Sequence, residues 1–230
     1  IKDGTPVFKK LRGIKSQNEI EKIKYICGIA SDTFERLPKQ IEIGESEREV
    51  CKKFRLDLLC NGADSAPYVM GASGFEGYNN IVMGPTDRVT QRGDVLIIDT
   101  GAVFDGYFCD FDRNFSFGQP SDNTRRAYEI VYNATEAGIN MARPGNTTSD
   151  LWRAMWKVLD SGGAIGNNIG RMGHGLGMQL TEWPSNKSGD DTVLMPGMVM
   201  TIEPGMEFKK DRFMVHEENL IITEFGNELL

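Results

Sequence analysis

Apolar residues recur with a helical period in four stretches of the chain, separated by short runs that alternate or are continuously apolar. Ser16-x-x-Glu19 is a capping-box pattern and opens a predicted helix from Gln17 to about Leu37. Ser46-x-x-Glu49 opens a second, which carries Val50, Phe54, Leu58 and Leu59 and stops near Asn61-Gly62. A third runs from about Asn123 to Ala142, ahead of Pro144-Gly145. A fourth starts at Thr147 or Thr148, carries Leu151, Met155 and Leu159, and ends at Gly162-Gly163. The four form a repeat. Ala30, residues 41–44, residues 46–50 and Gly62 run parallel to Ala134, residues 143–145, residues 147–151 and Gly162, offset by about 100 residues. Each half is a helix, a glycine-containing turn and a capped helix, followed by strands. A duplicated α+β unit with a site between its halves is the expectation.

The strand pattern orders three carboxylates. Residues 94–99, Asp-Val-Leu-Ile-Ile-Asp, read as a buried strand, and Asp105-Gly106 is a two-residue hairpin signal. That turn pairs residues whose numbers sum to 211, placing Asp99 opposite Asp112 and Gly101 opposite Asp110. Side chains alternate faces with period two, so Asp99, Asp110 and Asp112 share one face. Like charges crowded on a sheet face repel unless a cation sits among them. Residues 198–203 and 213–223 read as two more strands, with a turn at residues 209–212. Glu203 and Glu217 then stand on neighbouring strands, Glu217 pointing opposite to His216 and Glu218.

Composition narrows the partners. The chain has 230 residues, 40% hydrophobic and 26% charged, enough for one large domain or two small ones. A net charge of −7 without a basic stripe argues against nucleic acid or an anionic membrane as partner. No apolar run approaches the roughly 20 residues needed to span a bilayer. Cys27, Cys51, Cys60 and Cys109 show no zinc-ribbon or CxxC spacing. Reduced, mostly buried thiols and a cytoplasmic setting are expected. No signal peptide is evident, there is no initiator Met, and the opening reads as a connecting segment. The expectation is a fragment, with residues 1–230 as a catalytic domain whose N-terminal partner domain was removed.

The candidate chemistry lies in Asp99, Asp110, His174, Glu203 and Glu217. Four carboxylates and one imidazole make a hard, oxygen-rich pocket that nearly neutralises two divalent cations. Such a pair, bridged by water, is a route to hydroxide at neutral pH. His174 lies in Gly173-His174-Gly175-Leu176-Gly177, where glycines allow close approach.

In order and spacing these segments resemble the M24 family of methionine aminopeptidase, aminopeptidase P, prolidase and creatinase, which share the pita-bread fold. The resemblance spans essentially the whole chain. It begins at Leu11-Arg12-Gly13-Ile14-Lys15-Ser16, which looks like the joint into that family's catalytic domain. It continues through residues 93–101, Asp105-Gly106-Tyr107-Phe108-Cys109-Asp110 and the His174 segment. It closes with Thr201-Ile202-Glu203-Pro204-Gly205 and Val215-His216-Glu217-Glu218-Asn219. The overlap is closest to the proline-peptidase branch. The resemblance implies a curved, mainly antiparallel sheet with two helix pairs. It also implies two divalent ions (manganese, cobalt, iron or zinc), bridged by Asp110 and Glu217. His174 and Glu203 would complete one ion's shell and Asp99 would bind the other. Glu203 would double as general base, with His174 beside it. Asp112, Arg113 and Thr181 would lie just outside the ligand set. Metal-dependent hydrolysis of an amide-type C–N bond, nearest to an Xaa-Pro peptidase acting on small peptides as a homodimer, is the implied activity.

The departures from that pattern matter. The family's His-Glu-x-Pro run reads Thr181-Glu182-Trp183-Pro184 here, and the family's His upstream of the first ligand is missing from Gly77-Tyr78-Asn79-Asn80-Ile81-Val82-Met83-Gly84. Asp112 stands where the family has Thr. Losing an acid–base imidazole costs on the order of 10²–10⁴ in rate. The alternatives are a small-molecule enzyme on the same scaffold (an ectoine-type hydrolase or sulfonium-propionate lyase), a metal-free creatinase-like hydrolase, and a non-catalytic peptidase-like binding module. Tyr68, Tyr78 and Trp183 are read as core aromatics more readily than pocket walls.

Overall fold

The protein is described here from a computed structural model covering residues 2–82, 84–165 and 170–230. Met83, within the segment that lacks the family's upstream His, lies outside the described residues. Helices α1 (Thr5–Gly13), α2 (Gln17–Arg36), α3 (Glu47–Cys60), α4 (Asp122–Met141) and α5 (Thr148–Ser161) are interleaved with eleven strands among the described residues. The four expected helices are present within a residue or two of their predicted ends. Ser16 and Glu19, and Ser46 and Glu49, close the capping boxes their spacing foretold. The opening segment differs from expectation. Residues read as a connector form α1, started by Pro6 in its first turn and carrying no buried residue.

The duplication is legible in atoms. Helices α2 and α4 are both 20 residues long, and α3 and α5 are both 14. The turn entering each short helix is pinned by equivalent backbone bonds. Gly44 N–H donates to Thr90 O and Gly145 N–H to Leu194 O, at 3.1 and 3.0 Å. Glu47 N–H donates to Arg88 O, and Thr148 N–H to Thr192 O. Positive φ at Gly44 and Gly145, +102° and +90°, explains the glycine in both halves.

The first sheet has β1 (Ser65–Phe75) on one side of β2 (Asp94–Phe104), with β3 (Tyr107–Phe108) and β4 (Phe111–Ser116) on the other. Its register is the expected one: Phe104 pairs with Tyr107, and Asp99 with Asp112. Asp105 has φ +45° in the turn. Leu96 and Ile98 face a core shared with α2 and α3, while Val95 and Ile97 face a second core shared with α4 and α5. Asp99 continues the Val95–Ile97 stripe. It is the polar end of an apolar strand face that looks into the molecule.

In the second sheet, β5 (His174–Gly175) lies between β6 (Glu182–Ser185) and β7 (Val199–Ile202), and β7 pairs with β10 (Glu218–Ile222), which is edged by β11 (Asn227–Leu229). A separate hairpin joins β8 (Gly205–Lys209) to β9 (Arg212–Val215). Residues 213–223, read as one strand, are therefore two. The chain leaves the hairpin at Val215 and enters the sheet at Glu218. His216 and Glu217 occupy the break, and Glu203 follows the end of β7 rather than lying within it.

Candidate metal centre

The breaks in the strands are where the acidic side chains gather. Asp110 lies between β3 and β4, where the ladder to β2 is interrupted. Asn219 replaces the missing strand partner. Its Oδ1 accepts from Asp110 N–H at 3.0 Å and its side-chain amide donates to Asp110 O. Arg113 makes a second clamp. Its guanidinium donates to the carbonyls of Asp112 and Glu217, at 2.8 and 2.6 Å, and pairs with both oxygens of Glu218. A third comes from Asn114, whose amide donates to Val215 O at 2.6 Å. Three side chains thus tie the Asp110–Asp112 segment to the Val215–Asn219 segment. No ladder joins them among the described residues, because β4 pairs with β2, β9 with β8, and β10 with β7 and β11.

His174 is held by close backbone approach. A Cβ at Gly173, where φ is +116°, would lie 2.2 Å from Thr201 O, and one at Gly175 would lie 2.2 Å from Trp183 O. The ring is 2% exposed at residue level. Its Nδ1 is 2.9 Å from Gly175 O. A carbonyl only accepts, so Nδ1 carries the hydrogen and Nε2 presents its lone pair, 3.4 Å from Asp110 Oδ2. Burial lowers the pKa of His174, keeping the imidazole neutral.

Ligand-type atoms of Asp110, His174 and Glu217 lie within 4.8 Å of one another, and so do those of Asp112, Glu203 and Glu217. Glu217, 1% exposed, is common to both groups. Asp99, Asp110, Asp112, His174 and Glu203 line a cavity of about 630 Å³, within the usual range for small-ligand sites. All five carboxylates are pushed upward in pKa, first by burial and, for Asp99, Asp112 and Glu217, then by one another's charge. Glu203 is raised to about 7. Asp99 Oδ1, Asp112 Oδ1 and Glu217 Oε1 are buried without a hydrogen-bond partner among the described residues. Buried carboxylate oxygens are costly to leave unpaired. An oxygen-rich, anionic, undersatisfied cluster with one lone-pair imidazole fits divalent cations.

The five residues singled out in the sequence are brought together. Asp112, read as a neighbour of the set, has a carboxylate oxygen within 4.8 Å of those of Glu203 and Glu217. Arg113 stays outside and acts on backbone. Thr181 lies at the rim, 3.3 Å from Arg171. His216 is turned away, with Nδ1 3.1 Å from Thr135 Oγ1 and edge-on rings of Tyr128 and Tyr132 beside it. Three contributors escaped the sequence reading. Tyr68 donates to Asp99 Oδ2 at 2.9 Å, Asn219 clamps Asp110, and the charge of Arg171 acts on Asp110 and Glu203. The alternation of β1 could have flagged Tyr68; a lone arginine among glycines carries no such signal.

Fold and site together define a class of protein, a duplicated α/β scaffold built around a buried carboxylate–imidazole cluster. The chain belongs to metallopeptidase family M24, whose model matches residues 21–224. It is 35% identical over 226 residues to the Xaa-Pro dipeptidase of Pyrococcus furiosus, covering 97% of this chain and 64% of that one. The prolidase structure from Pyrococcus furiosus superposes with a TM-score of 0.92 at 34% identity, covering 97% of this chain and 66% of that one. Dipeptidase PepE from Mycobacterium ulcerans gives 0.93 at 28% identity, covering 98% and 61%. The fold is the pita-bread fold implied by the motifs. The chain spans about 64% of the length of that curated Pyrococcus relative.

Proposed function

We propose that residues 1–230 form the catalytic domain of a metal-dependent peptidase that hydrolyses the amide bond of small Xaa-Pro-type peptides. The observation that carries this reading is the set of three buried carboxylate oxygens, unpartnered among the described residues, on the cluster that also holds a neutral imidazole. Asp99, Asp110, His174, Glu203 and Glu217 are the residues that would hold two divalent ions, of the manganese, cobalt, iron or zinc kind. Bound there, such ions lower the pKa of a shared water and polarise a scissile carbonyl. Glu203, facing the cavity, would accept the proton of the attacking water and return it to the leaving amine. Tyr68 holds one oxygen of Asp99, leaving the other for the cation. Arg171, at the rim, offers a cation to the carboxylate of a short peptide. Reduced cysteines fit a cytoplasmic enzyme, and a homodimer belongs to the same reading.

One observation favours a second reading, a small-molecule amide hydrolase on this scaffold. The chain has two histidines, and His216 is packed away from the cavity, so the rim around Asn79 and Thr181 offers no imidazole to a peptide. Elemental analysis after reconstitution tests the metal. About two ions per chain are expected, with a clear loss in Asp110→Ala. No bound metal under any condition would remove both readings. A screen of Xaa-Pro dipeptides against small cyclic amides then separates them.

A further inference from the structure

We propose that Asp112 is itself a metal ligand, completing a subsite with Glu203 and Glu217 opposite the one made by Asp110, His174 and Glu217. The inference rests on the metal-dependent reading above and goes beyond its five-residue set. A ligand-type oxygen of Asp112 lies within 4.8 Å of those of Glu203 and Glu217. The residue is 2% exposed, and its Oδ1 is buried with no hydrogen-bond partner among the described residues. The β2–β4 register sets it directly opposite Asp99, the arrangement in which two carboxylates destabilise a sheet most.

A carboxylate placed beside a metal centre without touching the metal has a recognisable job, which is to accept from a ligating imidazole and fix its tautomer. Asp112 is not doing that. The Nδ1 hydrogen of His174 is committed to Gly175 O, and Nε2 faces Asp110. Nor does the adjacent guanidinium satisfy its carboxylate: the hydrogen bonds of Arg113 go to two backbone carbonyls and to Glu218. Tyr78, fully buried, donates its hydroxyl hydrogen to Asn114 Oδ1 and accepts from Val215 N–H. With those donors accounted for, a cation is the partner that suits the free oxygen. Five carboxylates around two divalent ions leave one negative charge uncompensated, so Asp112 strengthens the hold on the second ion.

The test is calorimetric titration of the metal-stripped protein with Mn²⁺, for the parent, Asp112→Asn and Asp112→Ala, alongside melting of each protein with and without Mn²⁺. The parent is expected to take up two ions. Both variants should bind the weaker ion at least about tenfold less tightly, as loss of a metal-site partner does. Metal-free variants should melt no lower than the metal-free parent, because Asp112 Oδ1 has no hydrogen-bond partner to lose among the described residues. Two Mn²⁺ bound with parental affinity in both variants would overturn the role of Asp112 and leave the metal site standing. Variants that melt lower without metal would make Asp112 a residue that holds the fold, and would also overturn it. A parent that binds no Mn²⁺ would overturn this inference and the reading beneath it together.

Discussion

The floor and the rim of the cavity are built by different means. On the floor, Asp110, Asp112 and His174 are buried, with Glu217 buried beside them, and Asn219, Arg113 and Asn114 fix the segments that carry the carboxylates. Around the rim, Asn79, Val82 and Thr181 are exposed and stand on loop segments, Val82 at 71%. Strand ends locked by side-chain clamps hold ligating atoms to the tolerance that a metal requires. Loops exchange residues at little cost to the fold. A chain can therefore keep its floor while its rim is rewritten, and the rim decides what is bound.

The sharpest break of that comparison is Glu203→Gln, which leaves shape intact and removes the base. Turnover should fall by about 10²–10⁴, the usual worth of a positioned general base. Initial rates on the best substrate, with Mn²⁺ content measured on the same sample, report it. Parental kcat in this variant would move the proton transfer to another group.

The next effect is on stability. The carboxylates of the floor have folded pKa values above their ordinary ones, so the folded protein binds more protons than the unfolded chain in between. Stability supplied by the protonated forms is complete below the ordinary value and is lost as pH rises through the folded one. For Glu203 that window runs from 4.5 to about 7. Melted without metal, the protein should lose on the order of 3 kcal/mol from this group alone, roughly 6–12 °C in Tm for a chain this size. With Mn²⁺ the trend should reverse, since the ions bind the deprotonated carboxylates. A metal-free Tm that climbs between pH 5 and pH 7 would contradict the burial of these charges.

The contrast between floor and rim also governs what the sequence could disclose. The Asp105-Gly106 turn and the period-two rule set Asp99 against Asp112 correctly, because hairpin register is a local property. Capping boxes located helix starts for the same reason. Splitting residues 213–223 into two strands was invisible, since the break depends on which of two distant partners each half finds. Tertiary company also sets a carboxylate oxygen of Asp112 within 4.8 Å of those of Glu203 and Glu217, which lie far along the sequence. Asn219 was visible as part of a motif, but its clamp on Asp110 spans 109 residues of sequence. Helix α1 was missed because its apolar residues Val7, Phe8 and Leu11 are exposed and pack no stripe against a core.

The smallest expected effect tests the rim itself. Thr181 is exposed, lines the cavity, and its hydroxyl accepts from Arg171 at 3.3 Å. An exposed hydrogen bond of that length contributes about 0.5–1.5 kcal/mol at most. Replacing Thr181 by Val keeps the branched shape and frees the guanidinium. If Arg171 reads a substrate carboxylate, the change should shift KM by less than about tenfold. Mn²⁺ affinity and the melting temperature should stay at parental values, because no floor residue loses a partner. Steady-state kinetics on peptides with a free and an amidated C-terminus would isolate the contact, since the amide removes the charge that Arg171 meets. A loss of Mn²⁺ in Thr181→Val would show that rim and floor are coupled, and that the separation drawn between them is too clean.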